Sequence, residues 1–185
     1  MADPNDPLRF NKSSLLSGLT WVTESSRYPG SNSDMHWNAW AADGTLYSAD
    51  DDGQNFGSPW SFANLLKVEG TPPNHVVTLV SQFPELKRSA NNQLTRYVDG
   101  ALAVGDRLYV AAYDYDFAAP GFDFDTVNLM SPHGGVVALM HSDDGGVAWS
   151  GVPDPEVAPA DYFLGPRFAG LAFVAFGPGY SGVPE

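Results

Sequence analysis

A short hairpin recurs along this chain, and few folds accommodate the recurrence. GTLYSA at 44–49 is echoed by DRLYVA at 106–111, and each copy lies at a Gly/Asp turn, Asp43-Gly44 in the first and Gly105-Asp106 in the second. Aromatic, β-branched and small residues alternate on both sides of these turns, the pattern of antiparallel strands joined by a tight loop. The expected strand pairs are Trp37–Ala41 with Thr45–Ala49, and Ala101–Val104 with Leu108–Tyr113. Leu15–Val22, Val76–Val80, Gly135–His141 and Leu171–Phe176 read as further strands, while Phe62–Val68 fits either a strand or one helical turn. The fold class is therefore all-β. Hairpins repeating at this spacing suggest a β-propeller, whose blades hold about four strands each. The material between Trp37 and Phe176 suffices for roughly two and a half blades, so the expectation is an incomplete set. Either the chain is truncated at Glu185, or the ring closes by self-association with another copy, or the architecture is not a propeller. Residues 1–14, with Pro4 and Pro7, are expected to form an N-terminal arm, and 15–185 the partial propeller.

A length of 185 residues suits one domain, and an aromatic content of 13% fits a β-rich core that buries flat rings. With 22 acids against 9 bases the formal charge is −13, which argues against nucleic acid as a partner and leaves neutral sugar polymers permitted. The chain contains no cysteine, so it has no disulfide, thiolate metal site or cysteine nucleophile. No apolar run approaches the roughly 20 residues of a membrane span, and the opening residues lack a signal-peptide pattern. His36, His75, His133 and His141 have no metal-ligand spacing, and no nucleotide or hydrolase-elbow motif occurs. Neither a metal nor a cofactor is expected.

Ser142 to Trp149, SDDGGVAW, fits the Asp-box pattern S-x-D-x-G-x-T-W with Ala148 in place of Thr. In such a turn the Ser and Asp side chains hold the tip and the Trp tucks into the blade, a structural duty. Ala49 to Phe56 reads as a degraded copy in which Asp51, Gly53 and Phe56 occupy the matching places. Asp52 is then left without an evident structural duty, the plain alternative being an exposed Asp-Gly turn. Asp34 enters the first hairpin and Asp52 leaves it, so antiparallel pairing should make them neighbours. Crowding among Asp50, Asp51 and Asp52 is expected to raise the pKa of at least one. Asp50-Asp51-Asp52-Gly53 lacks the spacing and terminal Glu of an EF-hand. Asp114 and Asp116, like Asp123 and Asp125, lie in an acidic aromatic stretch read as a solvated loop, with a cation site or sugar-binding rim as the alternative.

The run Asp34-Met35-His36-Trp37-Asn38-Ala39-Trp40-Ala41-Ala42-Asp43-Gly44, followed by Leu46-Tyr47 and Asp52-Gly53, resembles a known signature. It is similar to D-x-W-P-x-T-W-A-D-D-G-x-L-Y…G-D-G of a bacterial five-bladed β-propeller family, formerly of unknown function, that includes endo-D-arabinanases. Gly105 to Tyr109, the Asp box and Phe176 to Gly182 resemble later landmarks of that family in the same order, and the family continues beyond them. The chain departs from the signature at His36-Trp37 for Trp-Pro, Ala39 for Thr and Asp51 for the Gly before the second acid. The resemblance implies a glycoside hydrolase that cuts D-arabinan or a related furanoside polysaccharide, working outside the cell or in its envelope. It carries the catalytic carboxylates over to Asp34 and Asp52, one protonating the leaving oxygen while the other activates water or attacks. His36, Trp37, Trp40, Tyr47, Asp51 and Tyr115 are the candidate substrate-binding residues. Two other readings stand beside the enzyme: a non-catalytic propeller that binds glycan or a protein partner, and an inactive fragment.

Overall fold

The computed structural model describes residues 32–33, 36–56, 58–71, 74–83, 94–116, 135–153, 161, 163–164 and 171–182, with the side chains of residues 62, 94, 95, 115 and 116 outside that description. Among the described residues, seven strands form two antiparallel sheets. The first contains β1 (His36–Trp40), β2 (Leu46–Gly53), β3 (Ser61–Glu69) and β4 (Val76–Ser81), paired in chain order. The second contains β5 (Leu94–Val104), β6 (Arg107–Asp116) and β7 (Gly135–Ser142), again in chain order. Among the described residues no helix is long and apolar enough to cross a membrane.

Local chemistry accounts for the turns. Between β1 and β2 the Asp43 carboxylate accepts the Thr45 N–H at 2.8 Å, and Ala41 and Thr45 close the loop through a 2.9 Å backbone bond. Gly44 there has φ 89, a left-handed conformation that glycine adopts without strain. The other half of the expected recurrence, Gly105-Asp106, forms the matching turn between β5 and β6. Val76–Ser81 and Gly135–Ser142 agree closely with the expected strands.

Several expectations are corrected. Phe62–Val68 belongs to strand β3, which extends from Ser61 to Glu69. β2 does not stop at Ala49 but continues through all three acids to Gly53, paired with β3 from Leu46↔Val68 to Gly53↔Ser61. Ala49–Gly53 is thus strand rather than the tip of a degraded Asp box, and Asp51 faces Ala63 across the ladder instead of serving a turn. The start of the supposed acidic loop, Tyr113 to Asp116, is the end of β6. Leu171–Phe176 pairs in no ladder among the described residues; it runs on to a single 3-10 turn at Pro178–Tyr180. The expected arm at 1–14, the strand at 15–22 and the acids Asp123 and Asp125 lie outside the described residues.

One apolar core joins the two sheets. Alternate residues of the first sheet, Ala39, Tyr47, Ala49, Ala63 and Leu65, pack in the same cluster as Val98, Ala101, Leu108, Val110 and Met140 of the second. Their period of two is the pleat's own, one face turned inward. The Asp box closes this core at one end. Ser142 Oγ accepts the Gly146 N–H at 2.9 Å, Asp144 Oδ1 accepts the Val147 and Ala148 N–H groups at 3.1 and 2.9 Å, and the Trp149 indole donates to the Gly146 carbonyl at 3.0 Å. Trp149 then lies 4.9 Å, centroid to centroid, from Phe83 of the first sheet's connection. The box is structural, as its pattern predicts.

Candidate functional site

The first hairpin organises the site through its register. β1 and β2 pair His36 with Asp50, Trp37 with Ala49 and Trp40 with Leu46, so the Trp40 end is the closed end and the His36 end is the open one. Beyond the open end the chain is again tied across. The Asn32 N–H donates to the Gln54 carbonyl at 3.4 Å, the Gln54 N–H returns to Asn32 Oδ1 at 2.6 Å, and Asn55 Nδ2 donates to Ser33 Oγ at 2.9 Å. A Cβ on Gly53 would sit 2.6 Å from Ser33 Cα, so this close approach requires glycine. Asp34 itself lies outside the described residues.

Asp52 occupies this open end with φ 40, the left-handed region where a residue with a side chain is strained. Strain of this kind persists where the surroundings fix it, and it clusters at functional sites. Asp51, on the core-facing side of β2, is buried. Asp51 and Asp52 both act electrostatically on Tyr113 of β6, as does Asp99 of β5, a buried residue. Burial foremost, and then the charges of Asp51 and Asp99, push the Tyr113 hydroxyl far above its ordinary range. Tyr113 stacks on Tyr97, 5.4 Å between centroids. Charges from both sheets therefore bear on Tyr113, one of two stacked tyrosines.

No motif or spacing in the sequence marks Asp99. It sits at a bulge, where the β5–β6 register shifts between Asp99 and Ala101, and bulges re-aim side chains beside active sites. Burial raises its pKa, opposed by the Leu171 N–H, which donates to Asp99 Oδ2 at 2.5 Å. Asp50 was noticed only as part of the acidic run. Its carboxyl is wholly buried; Oδ1 accepts from Ser48 Oγ at 2.5 Å and from His36 Nδ1 at 2.9 Å. Its pKa is raised by burial, against the lowering effect of those two donors. An acid of the triplet is thus raised as expected, but the cause is desolvation rather than crowding.

The aromatic candidates separate. Trp40 is 47% exposed yet stands at the closed end of the hairpin, four residues and thus about 13 Å along β1 from His36. Trp37 packs against the apolar core, and Tyr47 is a buried core residue whose hydroxyl approaches Gly145 of the Asp box. Tyr115 is in β6, with its side chain outside the described set. Trp60, immediately before Ser61, and Phe56, three residues after Gly53, are exposed in the β2–β3 connection at the open end. No alternation marks these two rings, because they lie in the connection between strands.

Asp114 departs most from its sequence reading. It is buried, and its carboxylate pairs with the equally buried guanidinium of Arg96, Nε to Oδ1 at 2.8 Å, directly across the β5–β6 ladder. Arg96 also donates to the Pro153 carbonyl at 3.3 Å, which pins the segment after the Asp box. This acid has a structural role. Among the described residues, no cluster of three or more His, Asp or Glu side chains is disposed to hold a metal ion. Compared with protein-family models and with curated proteins, the chain matches none of either.

Proposed function

We propose that this protein is a carbohydrate-active β-propeller domain that hydrolyses glycosidic bonds of D-arabinan or a related furanoside polymer, with Asp34 and Asp52 as its carboxylate pair. The observation that carries the proposal is the pairing on both sides of those acids. Asn32 and Ser33 are tied to Gln54 and Asn55, and His36 is tied to Asp50, so the chain flanking position 34 is fixed beside the chain flanking Asp52. Glycoside hydrolysis needs two carboxyl groups facing each other across the scissile bond, one protonated and one ionised. The strained backbone at Asp52 and the exposed rings of Trp60 and Phe56 in the β2–β3 connection support a sugar-binding end. Sugar rings present C–H faces that pack on aromatic side chains, and these two lie at the required end. Asp99 and Tyr113 supply further polar groups from the second sheet.

The propeller architecture is part of the proposal. Each sheet is a meander in chain order, β1 packs against β5, and an isolated bridge ties Ser150 to His141 of β7. Those features suit two successive blades with β1 and β5 innermost. The segment 171–182 then passes β5, bonding to Asp99 and to Gly105. A following blade would start there.

The test is incubation of the purified chain with D-arabinan and measurement of new reducing ends. Release that is absent with Asp52→Asn supports hydrolysis at this site. A folded wild-type chain that releases nothing refutes it.

A further inference from the structure

The pair formed by His36 and Asp50 has a chemical consequence that neither residue has alone. An ionised carboxylate can only accept hydrogen bonds, so at Asp50 Oδ1 both Ser48 Oγ, 2.5 Å away, and His36 Nδ1, 2.9 Å away, must donate. A neutral imidazole carries one proton, and when Nδ1 holds it Nε2 has the lone pair. The carboxylate is fully enclosed, whereas the His36 side chain is about one-third exposed, so a molecule arriving from outside meets the ring and not the acid. His36 opens β1 at the same end of the sheet as Asp52, Phe56 and Trp60.

We propose that Asp50 is a positioning residue that locks His36 in the Nδ1–H tautomer, so that Nε2 is a fixed hydrogen-bond acceptor for a hydroxyl of the bound sugar. The inference rests on the carbohydrate reading of the site and names a contact within it. Ser48 donates to the same oxygen, Oδ1, and the β1–β2 ladder keeps His36 opposite Asp50. The acceptor is thus built on two paired strands, and its direction does not depend on the ligand. Hydroxyl groups, which both donate and accept, fit such a site. Such a site favours ligands that bear a hydroxyl over analogues that lack it, because the analogue forgoes the hydrogen bond to Nε2.

Asp50→Asn separates the lock from mere packing. The asparagine amide is nearly isosteric and can donate to Nδ1, which moves the imidazole proton to Nε2 and turns the acceptor into a donor. The experiment is nitrogen NMR of the His36 ring on the full chain, on the alkaline side of its titration, followed by addition of soluble D-arabinan fragments. The expected result is Nδ1–H in the wild type, Nε2–H in Asp50→Asn, a perturbed Nε2 signal when the fragments bind, and affinity about tenfold weaker in the variant. Ser48→Ala should keep the wild-type tautomer. A wild type already in the Nε2–H form, which would mean that Asp50 is the protonated partner, overturns the proposal. If Asp50→Asn does not fold, the wild-type spectrum alone decides the tautomer. A locked Nδ1–H tautomer in a chain that binds no arabinan supports the lock and overturns the sugar reading.

Discussion

Arg96 and Asp114 show how far a side chain's role can differ from the impression given by its neighbours in sequence. Asp114 stands in a run of acids and aromatics that reads as solvated, yet it is buried against a buried arginine. The sequence hides this because the partner is 18 residues away and is set by ladder register alone. Removing one member leaves the other charge enclosed without its counterion, so Arg96→Met is expected to cost about 3–5 kcal/mol in urea unfolding, whereas replacing both with apolar residues should cost much less. Asp99 tests burial differently. Its pKa is raised in the folded chain, so between the ordinary carboxylate range and that raised value the native state holds the proton that the unfolded state has lost. Stability from this group therefore declines as pH rises through that window. Asp99→Asn, which can still accept the Leu171 N–H, should flatten the decline, and unfolding midpoints measured at a series of pH values will show it. The acids of the site were visible in the sequence as types. Asp50's enclosure and Asp99's place at a bulge were not, since both follow from which strand lies opposite.

At the level of elements, turns were legible and strand lengths were not. Asp43-Gly44, Gly105-Asp106 and the Asp box carry their own side-chain and glycine signals, and each formed where its residues predict. β2 overran its expected end because Asp is disfavoured in isolated strands, while a long, apolar β3 alongside it supplies a ladder that outweighs that preference. Leu171–Phe176 went the other way: it is apolar enough for a strand, but no ladder partner adjoins it among the described residues. Ser142 is the anchor of the Asp box, buried and bonded to Gly146 N–H and Asp144 Oδ1. Ser142→Ala should cost roughly 1–3 kcal/mol, because the Gly146 N–H then loses its acceptor inside the fold. The effect should appear in thermal unfolding. Trp60→Ala carries the opposite expectation, normal stability with arabinan binding weakened several-fold, on the order of 1 kcal/mol of lost ring packing, as read by titration calorimetry.

For the whole molecule, the question is how two meanders hold together. The Asp-box tip of the second sheet rests on Leu65 of the first, where a Cβ at Gly146 would overlap the leucine side chain and where φ is 91. Gly105, with φ 60 and open space around it, bears only the conformational part of that constraint. Gly146→Ala should therefore destabilise the chain more than Gly105→Ala, the latter by about 1 kcal/mol. Equal effects would mean that the tip does not bear on the first sheet. The all-β class and the meander order could be anticipated from the recurring hairpins, whereas the way the sheets meet depends on shape and could not. The central claim, that Asp34 and Asp52 act as one carboxylate pair, is tested most directly by rates of D-arabinan cleavage for Asp34→Asn, Asp52→Asn and the double variant, after all are shown to fold alike. Groups that act as a unit are not additive, so each single variant should lose at least about a hundredfold and the double variant little more. A single variant that retains the wild-type rate would contradict the account.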